Sequence, residues 1–146
     1  MTVETYLEQG LLLDQRIRYH LKKLEDLRQT ANSLPSITIR KDKVQTSPSG
    51  EAPFVGALLR MEEMQEQINH EIDQLEELKK QMTEVIQQVK EDKLQMLLAY
   101  KYLEGMSQAE ICNLMGVSRF TIRRWLQSAI DQITLPENAM MVKLRF

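Results

Sequence analysis

The stretch SQAEICNLMGVSRFTIRRWLQ, residues 107–127, decides how this chain is read. Ser107 precedes an apolar-periodic run and has Glu110 three residues on. That pattern predicts a capping box, in which hydroxyl and carboxylate each satisfy a backbone donor at a helix start. Ile111, Leu114 and Met115 recur at helical spacing and are expected to form an inner face. Cys112 is small enough for a neighbouring helix to come close. Gly116 stands where the chain must leave the helix, and glycine takes a left-handed cap without steric cost. Val117 can plug the turn, and Ser118 is a good N-cap for a second helix. In that helix Ile122, Trp125, Ala129 and Ile130 form the expected buried stripe, with Leu126 at its margin. Ser118, Arg119, Phe120, Arg123, Arg124 and Gln127 are left facing outward.

A helix with arginines in its first turns suits the DNA major groove, where arginine can chelate guanine O6 and N7. The candidate DNA-binding residues are Ser118, Arg119, Phe120, Thr121, Arg123, Arg124 and Gln127. A helical hairpin with a few solvated arginines is the plain alternative. The coincidence of caps, glycine, turn valine and arginine placement favours the reader.

The segment KYLEGMSQAEICNLMGVSRFTIRRWLQSAI, residues 101–130, resembles region 4 of sigma-70-type factors, the promoter-reading helix-turn-helix. The resemblance covers about residues 92–133. It implies an aromatic-rich helix over Leu94 to Leu103, an elbow at Gly105 and Ser107, and then the reader. It places Arg119, Arg123 and Arg124 where that family contacts bases and phosphates. Phe120 departs from the pattern, since that position is often polar or acidic in sigma factors. A phenylalanine there can touch a thymine methyl or pack. No sigma region 2 precedes the segment, so a complete sigma factor is not expected. The whole layout is similar to uncharacterised proteins of prophages and integrative elements in Gram-positive bacteria, related in style to RinA- and ArpU-type regulators.

The composition fits an all-α chain. In 146 residues, charged side chains make up 27% and aromatics 5%, with few glycines and prolines to interrupt helices. One cysteine excludes an internal disulfide framework. No apolar run is long enough to span a bilayer, and no signal peptide pattern opens the chain, so a cytoplasmic protein without membrane contact is expected. The net charge of −2 is unevenly spread: residues 54–90 hold four basic and eight acidic side chains, whereas residues 91–146 hold seven and six. Weak overall charge predicts modest non-specific DNA affinity and reliance on pairing or a partner.

Residues 3–33 read as one helix, with Leu13, Ile17, Leu24 and Leu27 on a stripe, Leu21 beside it and His20 on the seam. Residues 34–53 break the pattern. They serve either as a connector or as a contact for phosphate or protein through Arg40, Lys41 and Lys43. Residues 54–90 read as a second long helix, whose stripe runs through Leu58, Met61, Ile68, Ile72, Leu75, Met82, Ile86 and Val89. Glu62, Glu63, Glu66, Glu71, Glu76 and Glu77 are assigned to its solvent side, and Gln65 and Lys79 to polar breaks in the seam. A helix this long needs a partner of similar length. The expected fold is therefore a long antiparallel helical hairpin, or coiled coil, followed by a small sigma-region-4-like helix-turn-helix module. A remaining stripe is expected to pair across a homodimer. Around Lys90 to Lys93 the helix either kinks or runs on. The expected domains are 1–90, 91–135 and a tail at 136–146, whose Met140, Met141, Val142, Leu144 and Phe146 either dock or hang loose.

No catalytic set, metal site or cofactor loop emerges, and the chain is not expected to be an enzyme. His20 and His70 lack companions at metal-ligand spacing. The expected function is a sequence-specific DNA-binding transcriptional regulator of a phage or mobile element, with double-stranded DNA and RNA polymerase as expected partners. The alternatives are a small terminase subunit for DNA packaging and a polymerase-binding adaptor.

Overall fold

A computed structural model describes residues 1–33 and 52–143. The expectations about residues 34–51, including Arg40, Lys41 and Lys43, and about Leu144 and Phe146, lie outside the described residues. The fold is all-α, as expected. Helix α1 spans Val3–Ser33 and α2 spans Ala52–Ile86, forming the long helix pair. Three shorter helices follow: α3 (Asp92–Leu98), α4 (Gln108–Met115) and α5 (Arg119–Asp131), with a π-helical turn at Ala99–Leu103 after α3.

The described residues group into two compact units, Met1–Gln15 with Asp73–Phe146, and Arg16–Ile72. In the first, Thr2 caps α1 by accepting from the Thr5 N–H at 3.1 Å. Tyr6 and Leu7 of α1 then enter one core with Leu78, Met82, Val85 and Ile86 of α2. Leu94 and Leu98 of α3, Tyr102, and Ala129 and Ile133 at the far end of the chain complete that core. Gly10 faces the same core, where an added Cβ would lie 3.2 Å from Met82 Sδ. The ends of the long helices, α3 and α5 therefore share one apolar interior, and none of these segments encloses it alone.

The second unit buries Ile17, Leu24 and Ala31 of α1 and Ala57 and Ile68 of α2. Among them lies a charged cluster. Glu71 is 4% exposed. Its Oε1 is 2.7 Å from His20 Nδ1 and its Oε2 is 2.7 Å from Arg16 Nε, the latter an ion-pair contact without hydrogen-bond alignment.

Several side chains depart from the expected pattern. Glu71 is not on the solvent side, because Arg16 and His20 come from the other helix to meet it. Gln65 is exposed and bonds Asn69 one turn on, so it does not interrupt the seam. Leu21, Leu58 and Ile72 are exposed, while Leu78 and Val85 are buried instead. Helix α2 ends at Ile86 rather than at residue 90. Its last turn tightens through i→i+3 bonds from the Gln88 and Val89 N–H groups. The break needs no glycine or proline. The Gln95 amide donates to the Val89 carbonyl, and the Lys90 N–H donates to Gln132 Oε1.

The tail docks over its described length. Ala139, Met140 and Val142 pack against the shared core, while Met141 is exposed. Glutamine side chains hold its backbone as a neighbouring strand would. Gln88 donates to the Thr134 carbonyl and accepts from the Thr134 N–H. Gln81 donates to Asn138 and accepts from Met140, and Gln9 donates to Met140 and accepts from Val142.

Candidate nucleic-acid interface

The helix-turn-helix is set by local chemistry. Ser107 Oγ accepts from the Glu110 N–H, and Ser118 Oγ accepts from the Thr121 N–H, so each short helix starts at a serine cap. Glu110 departs from the full capping box: its carboxylate accepts from the Ser107 hydroxyl at 3.2 Å rather than from a backbone donor. Helix α4 ends at Gly116, whose φ of 68° is left-handed, and the Gly116 and Val117 N–H groups both return to the Cys112 carbonyl.

The π turn orients what comes before. The Glu104 N–H bonds the Ala99 carbonyl five residues back, widening the turn before the chain reverses at Gly105, φ 67°. Tyr102 enters the shared core. Tyr100, on the opposite side, packs against a smaller cluster of Leu97, Ile111 and Ile122. Trp125 and Leu126 touch both clusters, so α5 forms the wall between them.

That anchoring fixes which face of α5 points outward. Ile122 and Ala129 are buried, while Trp125, Leu126 and Ile130 are half-buried. Ser118, Arg119, Phe120, Arg123, Arg124 and Gln127 are all exposed, and Thr121 is half-buried with its hydroxyl 3.1 Å from that of Ser118. Arg119 and Arg123 form one i, i+4 row and Phe120 and Arg124 the next. Phe120 is 70% exposed. The Arg124 guanidinium carbon lies 5.5 Å from its ring centroid. Gln127 donates to Asp131 at 2.8 Å, so its amide is engaged along its own helix.

Beside this face lies a shallow groove of about 230 Å³, floored by Ile111, Ile122 and Leu126 and rimmed by Lys101, Gln108 and Arg123. Lys101 and Gln108 were not singled out from the sequence, because only the folded turn brings them beside Arg123. Lys93 lies over the other side of α5, its ammonium 4.7 Å from the Trp125 ring centroid. Leu114 is exposed rather than on the inner face of α4, and Ile111 carries that face. Cys112 and Met115 pack against the smaller cluster.

Among the described residues, no group of histidine, cysteine and acidic side chains has the arrangement of a metal site. No described helix is long and apolar enough to cross a membrane.

Residues 92–128 match the model of a family described as Helix-turn-helix domain. The match begins at the first residue of α3 and ends within α5, so it takes in the π turn, both serine caps and the arginine face. No curated protein and no solved structure matches the chain.

Proposed function

We propose that this chain is a sequence-specific DNA-binding transcriptional regulator that reads the major groove with α5. The observation that carries the reading is the two-sided character of α5. One side is locked into two apolar clusters, and the other presents Arg119, Phe120, Arg123 and Arg124 with little competing contact within the chain. A reader needs that combination, because base edges are recognised only by side chains held in register. Ser118, Thr121 and Gln127 complete the proposed contact set.

The sigma-region-4 resemblance supports RNA polymerase as a second partner, and the resemblance of the layout supports a phage or mobile element as the setting. Oligomerisation through the long helices is part of the proposal. Leu12 and Leu21 on α1 and Leu58 and Leu59 on α2 are exposed apolar side chains of the kind a second copy would cover. Pairing also answers the net charge of −2, since two readers on one site double the phosphate contacts of one.

Selection of bound duplexes from a random pool tests the reading, with an Arg119/Arg123/Arg124 triple-alanine protein as control. A palindromic enriched site is expected, lost in the control. A folded control that kept the same selectivity would overturn the proposal. Light scattering is expected to give a dimer, and a large ring would point to DNA packaging instead.

A further inference from the structure

Phe120 is the most conspicuous residue of the outward face. It is the second residue of α5, in the turn that comes nearest base edges when such a helix enters the major groove. It is 70% exposed and absent from both apolar clusters of its unit, so packing within the chain does not account for it. It is flanked by Arg119 and Arg123 and overlain by Arg124. An apolar protein partner seated on the ring would have to bury those guanidinium groups, which are costly to desolvate unpaired.

We infer that Phe120 reads a thymine C5-methyl group, as one half of a two-residue device with Arg124. This rests on the DNA-reading function proposed above and names what that site selects. The major groove offers one apolar group per thymine, its methyl, and hydrogen-bond acceptors on guanine. Phe120 supplies the apolar surface and Arg124 the donors. The cation–π contact between them restrains both side chains before DNA arrives. Four residues of helix rise about 6 Å, and a DNA base step is about 3.4 Å. The thymine therefore lies within about two base pairs of the guanine that Arg124 contacts.

The test uses the full chain and the duplex it selects. Each thymine of that site is replaced in turn by deoxyuridine, which keeps the Watson–Crick edge and lacks only the methyl. One position is expected to weaken binding about three- to tenfold, as loss of a buried methyl contact does. Phe120→Ala protein is expected to bind more weakly overall and to treat thymine and deoxyuridine alike at that position. Circular dichroism verifies that its helices are intact. If the wild-type chain bound every deoxyuridine duplex as tightly as the parent, the methyl assignment would fall while DNA reading stood. The same holds if Phe120→Ala kept the discrimination. If no duplex were enriched at all, the assignment and the DNA-reading proposal would both fall.

Discussion

Val142 donates its backbone N–H to Oε1 of Gln9 at 2.7 Å, joining positions 133 residues apart. Gln9 also donates through Nε2 to the carbonyls of Met140, at 2.9 Å, and Tyr6, at 3.1 Å. It is 5% exposed, so these bonds stand in for water that cannot reach it. Gln9→Ala removes them and strands backbone groups of the tail. A loss of about 1–3 kcal/mol is expected in denaturant unfolding. Limited proteolysis should cut near residues 138–142 sooner than in the wild type.

The two tyrosines of the shared core make the fold sensitive to alkali. Burial, reinforced by Glu84, pushes the Tyr6 phenol up from 10.0 to about 12. Burial, then Glu4 and Glu8, does the same to Tyr102. Between those values the folded chain holds protons that the unfolded chain has released, so stability falls as pH rises. The contribution is complete below pH 10 and is lost as pH climbs towards about 12. Tyrosinate absorbance and unfolding midpoints recorded across that window check this. Tyr6→Phe and Tyr102→Phe should each flatten the decline.

The buried charge cluster gives an asymmetric pair of outcomes. Glu71→Leu leaves Arg16 and His20 facing an apolar side chain, and a loss of about 3–5 kcal/mol is expected. Adding Arg16→Leu and His20→Leu to it should recover most of that loss, because a packed apolar set needs no charge compensation. Chemical denaturation of the single and triple variants decides it. A triple variant less stable than the single would show that the cluster stabilises the fold beyond mutual compensation.

Two glycines should respond in opposite ways to alanine. At Gly116 no atom lies within 4 Å of an added Cβ, so the cost is backbone conformation alone, about 1–2 kcal/mol. At Gly10 the added Cβ meets Met82 Sδ and Cε at 3.2 and 3.3 Å. That methionine can shift, and a helix gains up to about 1 kcal/mol on replacing glycine by alanine. Gly10→Ala should therefore be neutral or mildly stabilising in thermal unfolding. A large loss would mean that Met82 is fixed by its neighbours.

Cognate DNA should offset damage to the core that α5 shares with α1. Leu7 is fully buried in the core that also holds Ala129, and Leu7→Ala is expected to cost about 2–5 kcal/mol. Cognate duplex at about 100 times its Kd should return about 2.7 kcal/mol, since only the folded chain binds. Melting of Leu7→Ala with and without duplex measures this. A duplex that left the melting point unchanged would break the link between reader and core.

The helix-turn-helix was legible in the sequence because its determinants are local. Ser107, Gly116 and Ser118 act within four residues of themselves, and the exposed set on α5 follows from helical spacing. What was hidden depended on distant partners. Glu71 sits in a run of surface glutamates, and nothing beside it announces Arg16 or His20 from the other helix. Gln9, Gln81 and Gln88 look like ordinary helix-surface residues, yet their amides fasten the tail. The segment AYKYL reads as plain helix, whereas in the fold it makes a π turn that sends Tyr100 and Tyr102 to separate clusters.

The bond between Gln9 and Val142 also bears on how the protein comes into being. Tyr6, Leu7 and Gln9 are synthesised well before Ala129, Met140 and Val142, which cover them. Contacts of such wide separation close slowly and only after both ends are available. A partly synthesised chain thus carries an uncovered apolar turn and no finished helix-turn-helix. The shared core would then close late and cooperatively, so truncated translation products would be substrates for chaperones and proteases.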